Sequence, residues 1–201
     1  MAVRHPSLSH RRAFPVLWLM TDERIGGLLC EALARLPRGS GVVFRHHATA
    51  PAERAVLKRR IAVIARRRGL VLVDEACARG QPVRIGRAHS VREGLAARRA
   101  GAEVVFVSPV YPTRTHPGAP TLGPVRAARI ARAVGLPAIA LGGMNAARFR
   151  RVRALGFAGW AAIDGLLASP RHAQNPGERR PGYGCGHAVA AKAGTPESRE
   201  T

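Results

Sequence analysis

The stretch "EVVFVSPVYPTRTHPGAPTLGPVRAARIARAVGLPAIALGGMN", Glu103–Asn145, runs from one unbroken apolar segment to another. The first, "EVVFVS" (103–108), and the second, "PAIALG" (137–142), lack the alternation of a strand with one wet face. Such runs belong in a parallel sheet covered on both sides. Between them, residues 124–134 read as a helix, closed by Gly135 where a left-handed cap residue belongs. One strand–helix–strand unit is therefore legible at the centre of the chain.

Working outward, the same unit recurs. Further strands are expected at 15–20, 41–44, 70–73, 82–86 and 159–163, and further helices at 23–35, 52–68, 90–100 and 145–155. In 52–68, Ala55, Ile61, Ile64 and Ala65 recur at helical spacing opposite a basic face. Gly69, Gly101 and Gly156 end helices as Gly135 does. Seven apolar strands separated by helices make an α/β protein, and this density suits a TIM (β/α)8-type barrel. No GxGxxG or Walker loop points instead to a nucleotide-binding open sheet. The barrel is expected over residues 15–168. A basic tail (1–14) and a Pro/Gly/charged tail (169–201) have compositions that predict disorder.

The formal net charge is +21, from 33 Lys and Arg against 12 Asp and Glu. Only Lys58 and Lys192 are lysines, and the arginines are spread along every helical segment with no basic stripe. Nucleic acid is thus disfavoured as a partner, whereas small phosphorylated molecules suit such a surface. The early apolar run "VLWLM" is shorter than the roughly 7–15 residues of an export segment. A cytoplasmic location without membrane contact is expected. Cys30, Cys77 and Cys185 have the spacing of neither a disulfide framework nor a zinc site.

Barrel chemistry collects at the C-terminal ends of strands. The three aspartates, Asp22, Asp74 and Asp164, all fall there. Asp22 in "TDER" reads as a helix cap, and Asp74 as either a cap or a Mg2+ ligand, since hard cations want carboxylate oxygen. Gly142 and Gly143 end a strand just before an incoming helix, with Asn145 as its cap, an arrangement that lets backbone N–H groups approach a phosphate. The loop 108–123 carries four prolines and three threonines. Ser108, Thr113 and Thr115 can donate hydrogen bonds to phosphate oxygens, Arg114 or His116 can neutralise charge, and the prolines reduce the ordering cost of binding.

Taken together, these motifs resemble the thiamine phosphate synthases and their relatives the thiazole tautomerases. "LWLMTD" (17–22) is similar to the family's first strand, and "VVFRHH" (42–47) sits where it has a Gln-x-Arg-x-Lys strand. "VSPVYPTRTH" (107–116) resembles its Gly-Pro-x-Phe-x-Thr-x-Thr-Lys loop. "LPAIALGGMN" (136–145) and "GFAGWAAIDGL" (156–166) resemble its last two strands. The resemblance implies an enzyme of thiamine biosynthesis that joins an aminopyrimidine pyrophosphate to a thiazole phosphate with Mg2+ and releases pyrophosphate. It assigns catalytic work to Arg45, Thr113, Thr115, His89 and His116. Phosphate binding falls to Ser108, Thr113, Thr115, Gly142, Gly143 and Ile163, and the metal to Asp74. Homo-oligomers are common among such barrels.

Departures from the pattern are equally specific. Val43 and His47 stand for the Gln and Lys of the second strand, Val73 for an Asn before the metal Asp, His116 for the loop Lys and Asp164 for a Ser. Only fourteen residues separate Asp74 from His89, where the family carries a strand–helix unit with a second metal carboxylate. One unit of the barrel is thus expected to be shortened or missing. "RIGRAHSVREG" (84–94) also resembles the tautomerases, with His89 as the base, or as a residue beside the Ser90 cap. A barrel that binds a phosphorylated ligand without turnover is the non-enzymatic alternative.

Overall fold

In the computed structural model, which describes residues 14–77, 80–113 and 118–166, the apolar runs become seven short strands. They are β1 (Leu17–Met20), β2 (Gly41–Phe44), β3 (Val71–Asp74), β4 (Ile85–Ala88), β5 (Val104–Val107), β6 (Ala138–Leu141) and β7 (Gly159–Ala162). The helices between them are α1 (Leu29–Arg35), α2 (Pro51–Arg68), α3 (Val91–Arg99), α4 (Gly123–Val134) and α5 (Ala146–Arg153). All strand pairs are parallel and the sheet order is β3-β2-β1-β7-β6-β5-β4. Leu17 pairs with Trp160, so the first and last strands lie side by side.

Strand alternation sorts the core into an inside and an outside. One cluster takes Trp18, Met20, Val43, Val73, Phe106, Ile139 and Ala161, with Ile85 packed against it, so every strand contributes. That cluster fills the interior of a curled sheet. Residues of opposite parity pack outward against helices: Leu19, Val42 and Phe44 with α1 and α2, and Val105, Val107, Ala140 and Trp160 with α4 and α5. Inside, Trp18 lies edge-on to Phe106, with centroids 5.3 Å apart. Its ring covers Gly41 so closely that a Cβ there would stand 2.0 Å from Trp18.

The barrel is one unit short of eight. Among the described residues, β3 pairs only with β2 and β4 only with β5, so both edges face a seam. Residues 75–84 link the two strands, too few for a crossover helix of ordinary length plus another strand. A side chain replaces part of the absent strand, since the Asp74 N–H, on the free edge, donates to Gln81 Oε1 at 2.8 Å. An ion pair from Arg87 of β4 to Glu75 just past β3 spans the seam. Behind it lies a cavity of about 320 Å3 lined by Val73, Gln81, Val83, Ile85 and Ala97. The sheet is therefore the seven-stranded TIM-type barrel that the short 74–89 interval implies.

Local readings shift in two places. The expected helix 23–35 breaks into a 3-10 turn, Glu23–Leu28, and α1, because Gly26 adopts φ 53° and ψ −134°. The strand expected at 82–86 runs instead from Ile85 to Ala88, since Arg87 interrupts the apolar run but remains in the sheet. Asp22, Ser90 and Asn145 cap helices through their side chains, and Gly69 and Gly135 end theirs in the left-handed conformation. Cys77, just past β3, is exposed. Among the described residues no helix is long and apolar enough to cross a membrane. Residues 1–13 and 167–201, where most of the two tails was expected, lie outside the described residues.

Candidate active site

Inward parity continues past the strand ends and selects what lines the mouth of the barrel. Val43 pairs with Val73 and Phe44 with Asp74, which brings Arg45 beside Glu75 at the next step. Arg45 is fixed at its backbone, where its N–H donates to Thr21 Oγ1 at 3.0 Å. The same hydroxyl lies 3.0 Å from His46 Nδ1. A hydroxyl that accepts from Arg45 still has its own proton to give, an arrangement that suits Nδ1 as acceptor in a neutral His46. Burial lowers the pKa of His46 in the same direction. His46 itself faces outward and stacks on Phe44 at 4.9 Å.

Asp74 and Glu75 are consecutive and so face opposite sides. Asp74 turns away from the mouth into the layer under α2. Its carboxylate meets Arg54 Nη2 at 2.5 Å and Lys58 Nζ at 2.7 Å, and its side chain is 3% exposed. Burial raises its pKa, but hydrogen bonds from Arg54, Lys58 and the Ala76 N–H outweigh burial and hold it at about 2. Arg54 further donates to the His46 carbonyl at 3.0 Å and lies 4.5 Å above the Phe44 ring. The aspartate assigned to Mg2+ is thus a tie between β3 and α2. Mg2+ needs carboxylate oxygens free to face it. Among the described residues no group of three or more His, Cys, Asp and Glu could hold an ion. The residues present do not fit a protein-held Mg2+ at Asp74.

Glu75 occupies the mouth instead. One carboxylate oxygen lies 2.9 Å from His47 Nε2 and 3.6 Å from Arg45 Nε, and the other pairs with Arg87. Arg45 Nε is buried with no hydrogen-bond partner. Arg45 and Arg87 also line a cavity of about 270 Å3 together with His89, Ser108, Thr113 and Gly142. His89 is exposed, and Glu93 Oε2 lies 2.8 Å from its Nδ1 while also accepting the His89 backbone N–H at 3.0 Å.

A second cavity of about 450 Å3 adjoins the first, sharing Thr113, Leu141, Gly142 and Ile163 with it. Gly143, Asn145 and Arg148 complete it. The loop after β5 is laid directly on the paired glycines: the Val110 N–H donates to the Leu141 carbonyl at 2.9 Å, and the Tyr111 N–H to the Gly142 carbonyl at 3.1 Å. Both glycines have positive φ, 93° and 59°. A Cβ on Gly143 would stand 2.2 Å from the Pro112 carbonyl oxygen, so only glycine admits the loop. Arg148 donates to the Gly143 carbonyl and lies 4.8 Å above the Tyr111 ring.

The mouth therefore gathers Arg45, His89, Ser108, Thr113, Gly142, Gly143 and Ile163 from the sequence-based set and leaves Asp74 outside. Arg114, Thr115 and His116 lie outside the described residues. Arg87, Glu75 and Arg148 were missed. Arg87 and Glu75 could have been found by extending the inward parity by one step of two residues, from Ile85 to Arg87 and from Val73 to Glu75.

The family model described as thiamine monophosphate synthase matches residues 73–166. A thiamine-phosphate synthase of Methanospirillum hungatei is 39% identical over 82 residues, covering 40% of this chain and 40% of that protein. One from Geobacillus kaustophilus is 35% identical over 85 residues, 41% of this chain and 38% of its own length. The chain thus spans about two-fifths of the length of these curated relatives. A solved thiamine phosphate pyrophosphorylase from Pyrococcus furiosus superimposes with a TM-score of 0.66 at 18% identity, over 80% of this chain and 91% of the other. That likeness extends the shared fold to most of the chain. Residues 73–166, which carry the loop on β5, the paired glycines and the last strand, are thus similar to the thiamine monophosphate synthase family.

Proposed function

We propose that the barrel joins an aminopyrimidine pyrophosphate to a thiazole phosphate and releases pyrophosphate. One observation carries this reading: two adjoining cavities at the C-terminal rim, one with Arg45 and Arg87 and one against the paired glycines, meet at Thr113, Gly142 and Ile163. The pyrophosphate takes the arginine side and the thiazole phosphate the glycine side, so the reacting atoms meet at the junction. The pyrimidine methylene C–O bond breaks, its electron pair leaves with pyrophosphate, and the thiazole nitrogen lone pair forms the new C–N bond.

Such a reaction needs neutralisation of the leaving charge more than a general base. Arg45 and Arg87 supply it, and Ser108 and Thr113 add hydroxyl donors. Mg2+ is proposed as a companion of the ligand's pyrophosphate, with no step assigned to it. His89, aligned by Glu93, favours one second reading: a base for isomerising a thiazole carboxylate phosphate. Incubating the purified protein with both half-substrates and Mg2+ should yield thiamine phosphate, identified by mass. No product at high protein concentration would overturn the transferase reading, and conversion of the carboxylate alone would favour the second.

Gly143 gives a separate check on the larger cavity. Gly143→Ala puts a Cβ against the Pro112 carbonyl at a left-handed φ, which must push the loop off its seat. We expect thiazole phosphate affinity, measured by calorimetry, to fall at least tenfold while pyrophosphate affinity changes less. Equal losses for both ligands would place the two phosphates in one cavity.

A further inference from the structure

The strongest unexplained feature is a carboxylate in the middle of an anion site. The Glu75 side chain faces Arg45, His47 and Arg87 together and is itself only 15% exposed. Two of those three groups, Arg45 and Arg87, line the smaller cavity. A phosphate entering there would seek the donors that Glu75 holds. We propose that Glu75 is a built-in competitor for the ligand, a carboxylate that occupies the guanidinium donors of the empty site and must leave them when a phosphorylated ligand binds. The inference rests on the phosphate reading of this cavity.

The geometry supports a contact that opens. Glu75 reaches the arginines from a point just past the last residue of β3, where its N–H donates to the Phe44 carbonyl of β2 at 3.1 Å while its other edge faces the seam, with no strand paired there among the described residues. Its engagement is also imperfect. Arg45 Nε stands 3.6 Å away, beyond hydrogen-bonding range, and is buried without a partner. An arginine held by charge but not hydrogen-bonded has a donor ready for a better-placed oxygen. The cavity behind the seam, which Glu75 also lines, provides room for the released carboxylate. The contact lowers apparent affinity by the fraction of time the site is closed, as any pre-equilibrium does.

The test is calorimetric titration of the full-length protein with inorganic pyrophosphate and with inorganic phosphate, in wild type and Glu75→Gln, without added metal. The glutamine keeps the shape but removes the charge that competes. Both anions should bind at least fivefold more tightly to the variant, by a similar factor, because the same contact must open for each. Unchanged affinity in the variant overturns the competitor role, and so does weaker binding, which would make Glu75 a supporting group. Absence of pyrophosphate binding by either protein overturns the phosphate reading itself. Should the variant melt below the assay temperature, a crystal structure of the wild type with pyrophosphate decides. Glu75 turned away from Arg87 supports the proposal, and Glu75 still paired with Arg87 beside the bound anion overturns it.

Discussion

Arg45→Ala should lower kcat/KM for the proposed formation of thiamine phosphate by roughly 100- to 1,000-fold, the loss typical of removing one donor aimed at developing charge. Its melting temperature should stay within a few degrees of wild type. The two expectations come from the same atom. Arg45 Nε is buried with no hydrogen-bond partner, and an unsatisfied buried donor costs a free protein about 1–3 kcal/mol. Removing it therefore offsets what is lost in packing and in the 3.6 Å contact to Glu75. Glu75 retains His47 and Arg87, so no carboxylate is stranded. Steady-state kinetics beside a thermal melt separates the outcomes. Full activity would remove Arg45 from the mechanism, and a collapse of the melt would make it a structural residue.

Asp74→Asn should do the reverse. The substitution leaves Arg54 and Lys58 without their anion in the layer between β3 and α2. Breaking a buried pair from one side costs about 3–5 kcal/mol, and the partial exposure of Lys58, 39%, brings the expectation down to roughly 2–4 kcal/mol. Denaturant unfolding measures it. The Mg2+ requirement proposed for the reaction should be the same in the variant as in the wild type, because the carboxylate does not face the mouth. A variant of normal stability that needs far more Mg2+ would reverse this assignment. The same group makes acid sensitivity legible. Its folded pKa, about 2, lies below the ordinary carboxylate value of 3.8. The unfolded chain therefore takes up the proton first as pH falls. The stabilisation is present above about pH 4, is lost progressively towards pH 2, and amounts to roughly 2 kcal/mol. In Asp74→Asn that part of the acid transition should vanish.

Asp74 and Arg87 show where a linear reading works and where it stops. The strands were legible because buried parallel strands are continuous apolar runs, and the caps because Asp22, Ser90 and Asn145 do local chemistry. The paired glycines were flagged for phosphate approach, whereas in the structure their first duty is to seat the loop at Pro109–Pro112. Which side of a strand a residue faces depends on register against its neighbours, and an error of one residue exchanges inside for outside. At the end of β3 that exchange is the difference between Asp74 and Glu75. Arg87 escaped for a related reason. A charge inside an apolar run reads as the end of a strand, yet at the rim of a barrel it marks the point where core gives way to site.

The order β3-β2-β1-β7-β6-β5-β4 has a consequence for how the chain assembles. β1 lies in the interior of the sheet, between β2 and β7, though it is the earliest strand to be synthesised. Its second neighbour is the last to emerge, with Leu17 waiting for Trp160. During translation one side of β1 therefore stays unpaired, with Trp18 lacking its Ala161 neighbour, until nearly the whole barrel has left the ribosome. A closure of such long sequence separation is slow. That interval is when a nascent chain of this design most needs a chaperone.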